Sequence, residues 1–220
     1  DGTMCTGGAV FIMLTMAGVP MPLALLGSFL AGMLAGLATG FFHTVCGIPA
    51  ILAGILTQLA LYSVNLRIMG QANQPISFRN YDLLVSSRNV KSLSLENPIL
   101  IGVIFAAVII ALLYWFFGTE LGCSLRATGA NANMARAQGI NTNVAKVLGL
   151  MLSNGLVALS SALLAQYQGF ADVNMGRGAI VIGLAAVIIG EVLFSKIFHN
   201  FALLLLSVVI GSVLYYVVYN

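Results

Sequence analysis

From Pro98 to Gly118 the chain reads PILIGVIFAAVIIALLYWFFG, with no charged side chain anywhere along it. A run of this length is about what a helix needs to cross the roughly 30 Å hydrocarbon core of a bilayer. Inside that core every backbone N–H and C=O must find a partner within the protein, which makes the run a helix. Comparable runs occupy Leu23 to Thr44, Ala50 to Ile68, Val147 to Tyr167 and Phe201 to Val218. With 60% hydrophobic and 7% charged residues, the remaining polar surface is too small to coat a soluble domain. The expected fold is therefore an all-α, polytopic membrane bundle, one domain over residues 1–220, with about six hydrophobic segments including broken or short ones. The net charge of +3 is spread thinly and forms no dense basic patch, which argues against a nucleic-acid partner and leaves lipid as the medium.

Two segments are too short or too interrupted to read as full spans. Asp1, Thr3, Thr6, Gly7 and Gly8 precede an apolar run that stops at Pro20 and Pro22. This pattern predicts a broken or half helix, and polar groups at such a break can line a solute path. Asp1, Thr3 and Thr6 are candidates on that ground. Because the chain opens at Asp1 and is already apolar by Ala9, a segment upstream of it is expected. Ala179 to Gly190 is likewise short before Glu191 and Lys196, so it reads as a short or re-entrant helix with those two charges reaching toward an interface.

Small and polar residues mark the packing faces. Ser28, Gly32, Gly36 and Gly40 recur at steps of four, a stripe that lets two membrane helices approach closely. In the Val147 to Tyr167 run, Asn154 and Ser161, and likewise Ser153 and Ser160, lie seven apart and stack along a helix. Asn154 and Ser161 join the candidate substrate path. Gln58, Tyr62 and Asn65 are placed to hydrogen-bond across helices or to touch a polar solute. Tyr114 to Phe117, and Tyr215, Tyr216 and Tyr219, carry the aromatic signature of membrane interfaces.

Several chemistries lack their residues. Cys5, Cys46 and Cys123 are far apart, and His43 has no second ligand at metal spacing, so no metal site is expected. There is no phosphate-binding G-x-x-x-x-G-K-[ST], no G-x-S-x-G and no H-E-x-x-H, so catalytic and cofactor-binding residues are not expected and any ATP hydrolysis belongs to another subunit. Counting Lys and Arg by alternating spans puts Arg67, Arg79, Arg88, Lys91 and Arg177 on one side and Arg126, Arg136, Lys146 and Lys196 on the other. The positive-inside rule assigns no sidedness to so even a split.

The polar stretch 121–146, LGCSLRATGANANMARAQGINTNVAK, interrupts the apolar chain. Gly129 and Gly139 bracket good helix formers, which predicts a short surface helix from Ala130 to Gln138. Ala127, Ala130, Met134 and Ala137 form one small, weakly apolar face, of a size to dock into a groove on another protein.

LRATGANANMARAQGIN, followed by an apolar span and then GRGAIVIGLAAVIIGE, resembles the inner-membrane permease subunits of ABC importers of the branched-chain amino acid and ribose type. NLRIMGQANQP is similar to the branch whose binding proteins look like aromatic amino acid receptors. The resemblance covers nearly the whole chain. It implies that 121–146 is a cytoplasmic coupling loop docking on an ATPase subunit through Arg126, Ala127, Gly129, Asn131, Ala135, Gly139 and Ile140, with Met134 on the contact stripe. It also implies that 69–97 is an external loop facing a solute-binding protein. A second permease subunit, as a homodimer or, alternatively, a heterodimer, and residence in a prokaryotic plasma membrane follow from the same resemblance. Family members carry a further helix before the Asp1 region. The expected activity is ATP-driven import of a small polar solute, an amino acid in this branch, by alternating access; an ATP-independent channel or secondary carrier is the alternative.

Overall fold

The computed structural model describes residues 2–76, 98–194 and 201–219. Its elements are α1 (Gly2–Met16), α2 (Met21–Thr44), α3 (Ala50–Met69), β1 (Asn73–Pro75), α4 (Pro98–Phe117), α5 (Glu120–Ala130), α6 (Ala132–Ala137), α7 (Thr142–Gln168), β2 (Phe170–Asp172), α8 (Ala179–Phe194) and α9 (Phe201–Tyr219). Among the described residues, α2, α3, α4, α7 and α9 are long and apolar enough to cross a membrane, and α1 and α8 are shorter apolar helices. The protein is thus a polytopic helical membrane protein. It divides into two compact units, 1–101 with 124–176 and 102–123 with 177–220.

The first unit is built on α2 against α7. A Cβ on Gly36 would strike the Leu150 carbonyl oxygen, and one on Gly32 would come within 2.5 Å of Ala158 Cβ and Asn154 O. At Gly40 the nearest atom is Val147 Cγ2, 3.1 Å away. Ser28, fully buried, returns its hydroxyl to the Ala24 carbonyl at 3.0 Å. The small stripe therefore brings backbone onto backbone, where van der Waals contact substitutes for a hydrophobic drive that lipid does not supply. From the opposite helix Gly155 receives Phe29 and Met33. α1 meets α7 in the same manner, with Gly7 against Ala158. Leucines 23, 26, 30, 34 and 37 of α2 remain exposed on the far side, a face suited to lipid.

Two short strands cap this unit. α3 ends at Gly70 and α7 at Gly169, both left-handed, and the segments that follow pair antiparallel with Asn73 opposite Asp172 and Pro75 opposite Phe170. Three-residue strands carry too little alternation to be legible as strands, and the sequence reads here as polar connection. Ile76, Ala171 and Val173 close over Phe11 and Ile12 of α1 in the apolar core of the unit. The clip therefore lies at the end of α7 away from Thr142, about 40 Å along a helix of 27 residues. Of the polar segment 69–97, residues 77–97 lie outside the described residues, as does Lys196.

In the second unit α8 and α9 form an antiparallel pair, again through glycine. Gly190 sits against the Ser207 carbonyl, and Gly211 against the Ala186 carbonyl and, at 2.7 Å from a built Cβ, Gly190 N. α8 continues past Gly190 to Phe194, so Glu191 is helical. Phe117 packs edge-on to Phe201 with ring centroids 5.2 Å apart.

Candidate functional site

The 121–146 stretch is helical for most of its length. Gly129 lies inside α5 rather than before a helix, and the predicted Ala130 to Gln138 helix contracts to α6, because Asn131 interrupts it as a cap. The Asn131 side chain accepts the N–H groups of Asn133 and Met134, both at 3.1 Å, satisfying two donors that the first turn leaves open. At the other end Gly139, at φ 81, permits the N–H of Ile140 to reach Ala135 O at 3.0 Å and its own N–H to reach Arg136 O at 2.9 Å. That bond pair is a Schellman stop, which requires a residue tolerant of positive φ. Asn141 then caps α7 by accepting from Asn143 and Val144, so α7 begins at Thr142 and not at Val147. Finally the Arg136 guanidinium donates through Nε to Thr142 Oγ1 at 2.8 Å, tying α6 to the first turn of α7.

The exposed surface of this elbow is specific. Ala127, Ala130, Met134 and Ala137 are all exposed, Met134 at 64%. Arg126, Gly129, Asn131, Arg136 and Gly139 are exposed as well, and Ile140 is half-buried. Of the residues named for the coupling contact, Ala135 is the buried one, at 3% exposure. A Cβ on Gly129 would meet nothing within 4 Å. Thus the small face predicted from spacing stands clear of the protein's own packing, while Ala135 belongs to the fold. Asn141 and Thr142 were not singled out from sequence; the Asn-x-x spacing shared by Asn131 and Asn141 is the signal that finds them.

The candidate path residues converge where α1 crosses α7. Thr3 donates to Asn154 Oδ1 at 2.7 Å, and Asn154 donates in turn to Leu150 O at 2.8 Å. Ser161 donates to the Met4 carbonyl and lies 3.6 Å from Met175 Sδ. Thr6 returns its hydroxyl to Gly2 O at 3.0 Å. From α3, fully buried Asn65 donates to the same Gly2 carbonyl at 3.2 Å, an interhelical bond of the kind its spacing suggests. Ser153 and Ser160 point outward, so only the Asn154 and Ser161 half of the predicted seam is internal. Asp1 lies outside the described residues. His43 donates through Nδ1 to Ile48 O at 2.9 Å and closes the α2 to α3 turn.

Comparison with known proteins gives the following. The family described as branched-chain amino acid transport system / permease component matches over residues 1–220. The chain is 39% identical over 216 residues to the tyrosine transport system permease protein of Clostridioides difficile (strain R20291), covering 98% of this chain and 69% of that one. It is 35% identical over 221 residues to uncharacterized protein RP368 of Rickettsia prowazekii (strain Madrid E), covering 99% and 75%. To the galactofuranose transporter permease protein of Escherichia coli (strain K12) it is 30% identical over 190 residues, covering 85% and 53%. No solved structure matches it.

Proposed function

This chain belongs to the branched-chain amino acid transport system permease family, and we propose that this multi-pass permease subunit forms the solute path of an ATP-driven importer for an amino acid. A pair of separate ATPase subunits supplies the energy, a second copy of this chain completes the path as a homodimer, and an extracytoplasmic binding protein delivers the solute, all in the plasma membrane of a prokaryote. The observation that carries this reading is the capped elbow α5–α6–α7, whose small Ala-Met face is exposed while its backbone is fixed at both ends. Such a face suits a groove on a partner. The amino acid assignment is supported by the tyrosine transport relative.

In this reading 121–146 is the cytoplasmic coupling element and Arg126, Ala127, Gly129, Asn131, Met134, Gly139 and Ile140 form or shape its contact with the ATPase. Ala135 supports it from within. The 69–97 segment and the β1–β2 clip lie on the external side, since the clip caps the opposite end of α7. Closure of the ATPase pair displaces α6, and the Arg136 to Thr142 bond passes the displacement to α7. α7 carries the contacts of both α1 and α2, so its tilt loosens the Thr3–Asn154 and Ser161–Met4 bonds and opens their groups to solute, with Thr6 beside them. The Ser28, Gly32, Gly36 and Gly40 stripe keeps α2 moving with α7. A partner shifts this equilibrium only by contacting α6 differently in the two states.

The test is co-expression with the cognate ATPase, followed by uptake of labelled L-tyrosine into proteoliposomes. Met134→Asp and Gly129→Trp, both at open positions, are expected to lower ATP-dependent uptake by on the order of tenfold, with thermal stability within about 0.5 kcal/mol of the parent. Uptake that proceeds without any ATPase would assign the chain to the channel or carrier class instead.

A further inference from the structure

Ser153, Asn154 and Gly155 are the twelfth to fourteenth of the 27 residues of α7, three weak helix formers in succession at the middle of a membrane span. Just before them the Leu150 carbonyl carries an added load. Besides its place in the helical ladder it accepts Ser153 Oγ at 3.2 Å and Asn154 Nδ2 at 2.8 Å. Back-bonding of this kind weakens the ladder and bends helices, and sharp kinks arise where a side chain enters the backbone bonds. The amide of Asn154 is engaged at both ends, since its Oδ1 accepts from Thr3 of α1 at 2.7 Å.

The partners of α7 change at the same level. Toward its start, Thr142 is tied to Arg136 of the elbow, and Leu125 Cδ1 of α5 lies 3.6 Å from where a Cβ on Gly149 would stand. Beyond Gly155, Ala158 meets Gly7 and Ser161 donates to Met4 O, so this half is held to α1. The clip continues from its far end. α2 runs along both halves through glycines, with Gly36 against Leu150 before the joint and Gly32 against Gly155 and Ala158 beyond it. Such backbone contacts accommodate the small sliding of packed helices. At membrane depth an opened backbone bond strands its carbonyl without a partner. Here Ser153 and Asn154 keep that carbonyl bonded as the ladder lengthens, so a bend costs least at this point of the span.

We propose that α7 bends at Leu150 to Gly155, that Ser153 and Asn154 are the spare donors that permit the bend, and that the Thr3 bond to Asn154 is the catch holding the straight form. The proposal rests on the importer reading above and locates the tilt of α7 described there: the tilt is concentrated in the half joined to the elbow. From Val144 to Ser153 that half is roughly 14 Å long, so a kink of about 20° carries Val144 about 5 Å sideways.

The test is pulsed electron spin resonance on the complete complex of permease, ATPase and binding protein in lipid nanodiscs. Cys46 and Cys123 are replaced by Ser, and labelled chains are diluted in unlabelled ones. Val144→Cys with Ile51→Cys reports the half of α7 nearest the elbow, and Tyr167→Cys with Val64→Cys the half nearest the clip; all four positions are exposed. Trapping with ATP and vanadate is expected to shift the first distance by about 5 Å and the second by less than half as much. Equal shifts in the two pairs mean a rigid tilt and overturn the proposal, as does an unshifted first pair in a complex that traps nucleotide. Ser153→Ala with Asn154→Ala is expected to cut the first shift by about half and uptake of labelled L-tyrosine by on the order of tenfold. Loss of a solute contact at Asn154 would lower uptake alone, so the distance decides, and an unchanged shift overturns the role of the two donors. Thr3→Val, with no nucleotide added, is expected to broaden the first distance distribution and leave the second as it was. An unbroadened distribution overturns the catch. This arm needs neither ATP nor solute, so the joint is decided even where the parent complex fails to take up L-tyrosine and the importer reading loses its substrate.

Discussion

At Gly36 a single hydrogen atom separates a packed helix pair from a clash, because the Leu150 carbonyl occupies the space of a Cβ. Gly36→Val is therefore expected to destabilise the protein by about 1–3 kcal/mol through overpacking against backbone that cannot move aside. Gly54 on α3 meets nothing within 4 Å, so Gly54→Ala is expected to stabilise by up to about 1 kcal/mol through helix propensity. Thermal unfolding in detergent checks both, and equal shifts would show that the close approach of α2 to α7 is absent. The Thr3 to Asn154 bond at 2.7 Å belongs to the same scale. A double-mutant cycle with Thr3→Val and Asn154→Leu is expected to return a coupling of about 0.6 kcal/mol, the usual worth of such a bond between membrane helices. The seven-residue spacing of Asn154 and Ser161 is visible in the sequence; that Thr3 and Met4 receive them is not, because the partners lie about 150 positions away.

At the scale of elements, α6 is short enough that its ends decide its existence. Only six residues lie between its caps, and an isolated helix of that length has no stability of its own. Asn131→Ala is expected to cost about 1 kcal/mol, and Gly139→Ala about 1–2 kcal/mol from the positive φ. Both should appear as faster hydrogen exchange at the Ala135 and Gln138 amides, with the exchange of α7 beyond its first turn unchanged. Loss of protection throughout α7 would mean that the elbow and the span unfold together. The glycine and the good helix formers of this stretch announce a short helix, yet its true start depends on Asn131. A capping side chain competes with continuing the helix, and propensity does not arbitrate that contest.

At the scale of the whole molecule, the β1–β2 clip relates two helices whose ends are nearly a hundred residues apart. Gln74 and Ala171 are directly paired, and opposed residues of an antiparallel ladder lie within disulfide reach. Gln74→Cys with Ala171→Cys is expected to cross-link on mild oxidation, read by mass spectrometry of the joined peptides. No cross-link in the pair, with one at Gln74→Cys and Phe170→Cys instead, would overturn the register. The clip also supplies a polarity that charge counting does not, by setting the end of α3 on the side opposite α6. By itself the sequence determined the class and most spans, because transfer into lipid is a local property of each run and needs no neighbour. It determined the packing face of α2 too, since a four-residue period marks one side of a helix wherever the helix goes. Only the tertiary structure decided which helix that stripe meets and which polar groups pair inside. Those depend on the close approach of segments far apart in the chain, and no local pattern encodes the partner.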